Sequence, residues 1–229
     1  MEYLKKNRVL FLDSGFFDRD ALLVARDLLG KILRVRHGKH WLHCRIIETE
    51  VYYMKEKGSH SSLGHTHSRR ALFMPPGIIY MYYARGGDSL NFTCRGEGNA
   101  VLIKSAFPIA EAQDDLSGIH LMMKNNPGPK GKQRPIEKLC SGQTLLCRSL
   151  GLKVPDWNTR QLDPENFSVA DDSYVPEQII QTTRLGINKQ RDAQLPYRLI
   201  DAKFASNCSK NPMRVRNWQM GREYTIFSP

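Results

Sequence analysis

The stretch Ile46-Ile47-Glu48-Thr49-Glu50-Val51-Tyr52 decides how this chain is read. It is rich in apolar and β-branched residues, and it carries two carboxylates and a terminal aromatic. Such a run reads as a buried strand. Side chains alternate across a strand, so Glu48, Glu50 and Tyr52 fall on one face. Glu50 beside Tyr52 offers a general base next to a flat stacking surface. The plainer alternative is one exposed glutamate and one ion-paired glutamate.

Upstream, residues 41–52 pair with residues 31–37 across the turn His37-Gly38-Lys39-His40. Residues 16–30 read as a helix, with Asp18 as cap, Gly30 as stop and an apolar stripe of Ala21, Leu22, Ala25, Leu28 and Leu29. Downstream, residues 53–70 are polar and read as a loop carrying His60, His65, His67, Arg69 and Arg70. A hairpin follows, with strands at 78–84 and 89–94 around the turn Arg85-Gly86-Gly87-Asp88. Tyr80 and Tyr82 share a face of it, where core packing and base stacking both account for them. Residues 100–106 read as a buried strand interrupted by Lys104. A lysine there needs an anionic partner or must reach solvent. Glu50 suits as that partner if the two strands approach.

Residues 109–123 suit a helix, residues 125–132 an exposed basic loop, and residues 136–150 a second helix stopped by Gly151. The last 75 or so residues are less regular and strand-rich. With no repeat and no linker composition, the expectation is one mixed α+β domain over residues 1–229.

The chain has 34 basic and 23 acidic residues, a net charge of +11. That field attracts phosphate backbones or anionic membranes. Apolar runs such as residues 77–84 are far short of the roughly 20 residues a spanning helix needs. The N-terminus lacks the apolar core of a signal peptide. Cys44, Cys94, Cys140, Cys147 and Cys208 are odd in number and irregularly spaced, which fits free thiols in a reducing compartment. Neither histidine group has the spacing of a helical zinc site, so no metal is expected. Gly86-Gly87 and Gly96-x-Gly98 lack the Gly-Lys-Ser/Thr ending of a phosphate loop.

Taken together, these residues resemble the alkyladenine (3-methyladenine) DNA glycosylase family, as a bacterial or divergent member. The resemblance runs from Phe16-Phe17-Asp18 to near Tyr197-Arg198-Leu199. It rests on Ala25-Arg26-Asp27-Leu28-Leu29-Gly30-Lys31, on Glu48-Thr49-Glu50-Val51-Tyr52, on His60-Ser61 and on Phe73-Met74-Pro75-Pro76-Gly77-Ile78-Ile79-Tyr80-Met81-Tyr82. Asn91, Ala100-Val101-Leu102-Ile103 and Leu139-Cys140-Ser141-Gly142 also fit. Their order and spacing carry the likeness.

The resemblance implies a curved antiparallel sheet flanked by helices, with a β-hairpin projecting into the DNA minor groove. It implies a monofunctional glycosylase that flips an alkylated purine out of duplex DNA and hydrolyses its N-glycosidic bond. Glu50 would be the general base, with Lys104 beside it where the family usually carries Arg. Tyr52 and Tyr82 would stack the base, His60 would meet its edge, and Asn91 would obstruct the exocyclic amine of guanine. Tyr83 or Arg85 would fill the gap in the duplex. No cofactor, no membrane and no second subunit are implied, and the setting would be the bacterial nucleoid or a nucleus. Two further departures stand out: the hairpin tip is one residue short, and the family's Ser-Gly-Pro-x-Lys-Leu reads Ser141-Gly142-Gln143-Thr144-Leu145-Leu146. A binding module without turnover and an RNA-directed protein are the alternatives.

Overall fold

The computed structural model describes residues 10–84, 86–110 and 116–229. At its centre lies an open antiparallel sheet. In chain order its strands are β1 (Leu10–Phe11), β2 (Ile32–His37), β3 (His40–Tyr52), β4 (Ile79–Ala84), β5 (Gly87–Thr93), β6 (Ala100–Ile109), β7 (Phe167–Asp171), β8 (Ile179–Thr182), β9 (Arg198–Asp201) and β10 (Tyr224–Phe227). The main path is β1-β7-β2-β3-β6-β5-β4, and β9, β8 and β10 branch off β3. The helices α1 (Ser14–Phe17), α2 (Ala21–Leu28), α3 (Ser117–Asn125), α4 (Gln143–Leu150) and α5 (Val154–Trp157) pack around it. The fold is α+β, as expected.

Strand β3 organises the sheet. Its first half pairs with β2, residues 48–50 pair with β9, and β6 runs along its other edge from His43 to Tyr52. The β3–β6 register is irregular where the branch begins. Ile46 opposes Ala106, Glu48 opposes Ser105 and Thr49 opposes Ile103, so Ile47 and Lys104 are each skipped. The slip exchanges faces. Leu42, Cys44 and Ile46 enter the main core before it and Val51 after it, while β6 contributes Ala106 on one side and Val101 and Ile103 on the other. A regular strand would carry Glu48 and Glu50 to the apolar side with Ile46. The slip turns them away, and Thr49 instead donates its hydroxyl to the Ala25 carbonyl of α2 at 3.0 Å.

Helix α2 buries Ala21, Val24, Ala25 and Leu28, an i, i+3, i+4, i+7 stripe. The single helix expected over 16–30 is in fact two, α1 and α2. Asp20 rather than Asp18 caps the second, accepting from the Leu22 N–H at 2.9 Å. Asp18 ends α1 and pairs with Arg95 at 3.0 Å. The helix expected over 136–150 is also divided. Residues Ile136–Lys138 form one 3-10 turn, and α4 starts only at Gln143. Gly142 between them has φ 107°, a backbone no helix accepts and only glycine adopts readily. Helix α3 starts at Ser117, and residues 111–115 of the expected helix lie outside the described residues. The loop at 125–132 is not exposed throughout. Asn126 is buried and donates to the Leu139 carbonyl at 2.9 Å and to Ser149 Oγ at 3.0 Å.

The β4–β5 hairpin is tighter than read from sequence. Ala84 opposes Gly87, so the strand pairing runs closer to the tip than the expected bounds of 84 and 89. Its tip leans on α4: a Cβ at Gly87 would stand 2.1 Å from the Thr144 side chain. Only glycine permits that approach.

Candidate active site

A cleft of about 580 Å³ opens between the hairpin, the start of α4 and the loop after β8. That volume suits a small flat ligand. Tyr52, His60, Tyr82, Asn91 and Lys104 all line it. Five positions spread over 53 residues of sequence therefore converge: four because β3, β6, β5 and β4 are successive neighbours in the sheet, and His60 from the loop after β3.

Glu50 lies behind this wall. Its side chain is fully buried, and its three partners all line the cleft. Lys104 Nζ stands 3.3 Å from Oε1, the Leu185 N–H donates to Oε1 at 3.2 Å, and Tyr52 Oη donates to Oε2 at 2.7 Å. The expected Lys104–Glu50 contact is present. The skipped register at Lys104 gives it freedom to aim along the sheet. A buried carboxylate persists as an anion only with such partners. Burial, and then the Glu50 charge, hold the Tyr52 phenol well above its ordinary range, so it donates.

The aromatic wall is fixed from several sides. The buried Arg184 guanidinium lies 4.6 Å over the Tyr52 ring, donates to the Val51 carbonyl at 2.7 Å and pairs with Glu56 at 2.5 Å. His60 meets Tyr82 edge-on, with ring centroids 4.4 Å apart. Its Nδ1 is 3.0 Å from Tyr80 Oη. Burial, then Arg69 and Arg191, push His60 below the usual imidazole value, so the ring is neutral near pH 7. Asn91 is locked, donating from Nδ2 to the Tyr80 carbonyl at 3.0 Å.

Glu48 does not share the site. It accepts from Arg198 Nε at 2.5 Å, from Ser209 N–H at 2.9 Å and Ser209 Oγ at 2.7 Å, and from Ser105 Oγ. Neither glutamate is the exposed one that the plainer alternative required. Tyr83 is 67% exposed and lines a neighbouring cavity of about 540 Å³ together with Arg69 and Arg70. Arg85 lies outside the described residues. His43 packs in the fold beside Trp41 and Arg34. Among the described residues no group of three His, Cys, Asp or Glu is placed to hold a metal ion. No helix among them is long and apolar enough to cross a membrane.

Sequence reading missed Leu185, Arg184, Ser209 and Gln143. Each sits on an irregular segment or at a helix start, and long-range pairing alone brings it to the cleft. The one available signal was Gln143, at a position where the motif departs from its resemblance.

Comparison with known proteins places the chain in a family. Residues 15–204 match the family model for methylpurine-DNA glycosylase. A Pseudomonas savastanoi pv. phaseolicola protein is 57% identical over 216 residues, covering 94% of this chain and 96% of its own. A Pseudomonas aeruginosa protein is 56% identical over the same length, covering 94% and 90%. A more distant Rhizobium johnstonii protein is 35% identical over 192 residues, covering 83% and 87%. All three carry the name "Putative 3-methyladenine DNA glycosylase". Fold, cleft and matches together define an enzyme of DNA repair, a hydrolase of the DNA glycosylase class. The chain belongs to the methylpurine-DNA glycosylase family.

Proposed function

We propose that this protein excises alkylated purines, 3-methyladenine and 7-methylguanine among them, from duplex DNA, with Glu50 as the general base. The observation that carries the reading is a buried glutamate whose three partners all face one aromatic cleft. The flipped base stacks against Tyr52 and Tyr82, with His60 at its edge. Asn91, held against the Tyr80 carbonyl, stands where a guanine amine would collide. Tyr83, exposed beside the hairpin turn, suits the gap left in the duplex, together with Arg85.

Water then reaches Glu50 as the Leu185 N–H contact at 3.2 Å opens, while Lys104 stays beside the carboxylate. Its oxygen attacks C1′ and its proton passes to Glu50. The C1′–N bond breaks, and its electron pair leaves with the purine. A lesion that is already cationic departs as a neutral base. Electron-rich rings also favour it by cation–π attraction. The carboxylate stabilises the positive charge that grows on the sugar. Lys104 holds the Glu50 charge at 3.3 Å. The step needs no cofactor and no lysine Schiff base, so it leaves an abasic site, and one chain suffices for it. The nucleoid, or a nucleus, is the corresponding location.

The test is single-turnover base release from duplexes bearing each lesion. Glu50→Gln is expected to lower the rate by at least about 100-fold, the lower range of a positioned base. An unchanged rate in that variant refutes the role.

A further inference from the structure

Lys104 has a nearer partner than Glu50. Its Nζ donates to Gln143 Oε1 at 2.8 Å, against 3.3 Å to the carboxylate. The same amide donates from Nε2 to Ser89 Oγ at 2.9 Å. A lysine ammonium only donates, so it fixes which end of the amide faces it, and Ser89 receives the other. Ser89 is fully buried and pairs with Tyr82 in the hairpin register. Gln143 is the first residue of α4, just past the Gly142 break, and the Gly142 N–H is anchored to Ser105 Oγ on β6 at 2.9 Å. One side chain thus ties the strand opposite the stacking tyrosine to the cation beside the buried carboxylate.

We infer that Gln143 is a positioning residue for this glycosylase, acting through Lys104 to set the geometry of Glu50. The inference rests on the functional reading above. Lysine needs such help. Its charge is a point on a four-carbon stem with many rotamers, whereas arginine presents a rigid planar fork. Lys104 is also skipped in the β3–β6 register, so the ladder does not orient it against an opposite residue. The amide supplies that constraint from a helix start that is itself held to the sheet.

The experiment is a double-mutant cycle on single-turnover base release, with Gln143→Met and Lys104→Arg. Methionine keeps the length of glutamine and deletes both hydrogen bonds. Beside Lys104, Gln143→Met is expected to slow release by about 10-fold, while duplex affinity and the unfolding midpoint stay within about twofold and a few degrees. In the Lys104→Arg background the same change is expected to cost less than about twofold, because the guanidinium is pre-organised. Ser89→Ala, which frees the amide without emptying the site, should slow release in the same direction by a smaller factor. Equal losses in both backgrounds, or a loss confined to affinity or stability, overturn the inference while leaving the glycosylase reading intact. No release by the wild-type protein from any lesion overturns that reading, and this inference with it.

Discussion

His43 and His60 are neutral rings held inside the protein, and each makes the fold sensitive to acid. Burial, then the Arg34 cation, lowers His43 to about 3, and Arg34 Nε donates to its Nε2 at 3.2 Å. The unfolded chain titrates it near 6.5. Between those values the unfolded chain binds a proton that the native chain refuses, so stability rises with pH and falls on acidification. The slope reaches about 1.4 kcal/mol per pH unit per histidine. Urea unfolding at pH 7, 6 and 5 should show this loss, and His43→Gln should make it shallower. His60, lowered in the same direction by burial, then Arg69 and Arg191, adds to it. Identical slopes for wild type and variant would contradict the account. Single residues also explain the departures seen in the sequence. Lys104 and Gln143, two of the positions that differ from the resembled motif, are hydrogen-bonded to each other.

Among the elements, β3 shows both what a sequence discloses and what it withholds. The strand itself, the turn before it and most of the stripe on α2 are local patterns and were legible, although Val24 rather than Leu22 is the buried residue of that turn. So was the facing of Glu50 and Tyr52, since two residues on one strand need no tertiary knowledge. The register slip at Ile47 and Lys104 was not, because it is a property of two strands together. The break at Gly142 was hidden by apolar residues on both sides that continue a helical rhythm. The branch to β9 was also hidden, although it decides the fate of Glu48. There Arg198, Ser105 and Ser209 enclose a fully buried carboxylate, tying β3, β6, β9 and the segment after Ala202–Phe204 into one knot. Glu48→Gln removes one partner and strands the buried Arg198, which costs about 3–5 kcal/mol. The variant should unfold at correspondingly lower urea, and the residual folded protein should still release base. A loss below about 1 kcal/mol would mean that the knot is not what holds the branch together.

At the scale of the whole molecule the net charge of +11 separates finding DNA from reading it. Phosphate contacts are blind to sequence and to damage, and each neutralised phosphate releases counterions, giving a slope of about −0.9 in log K against log salt. Under the proposed function a lesion is recognised instead in the cleft lined by Tyr52, Tyr82 and His60. Stacking there depends little on salt. Damaged and undamaged duplexes should therefore give parallel lines, displaced by the affinity of the cleft for the flipped base. Arg70 is a candidate for the shared term. It lines the cavity beside the hairpin with the exposed Tyr83, and its guanidinium is held locally, against the His67 ring Nε2 at 2.7 Å and the His67 carbonyl at 2.9 Å. Arg70→Ala should reduce the slope by about one on both duplexes and leave the displacement between them unchanged. Titrations of the two duplexes between about 50 and 200 mM salt measure both quantities. Lines that converge as salt rises would show that the lesion is read through phosphates, and the division of labour between surface charge and aromatic cleft would fail.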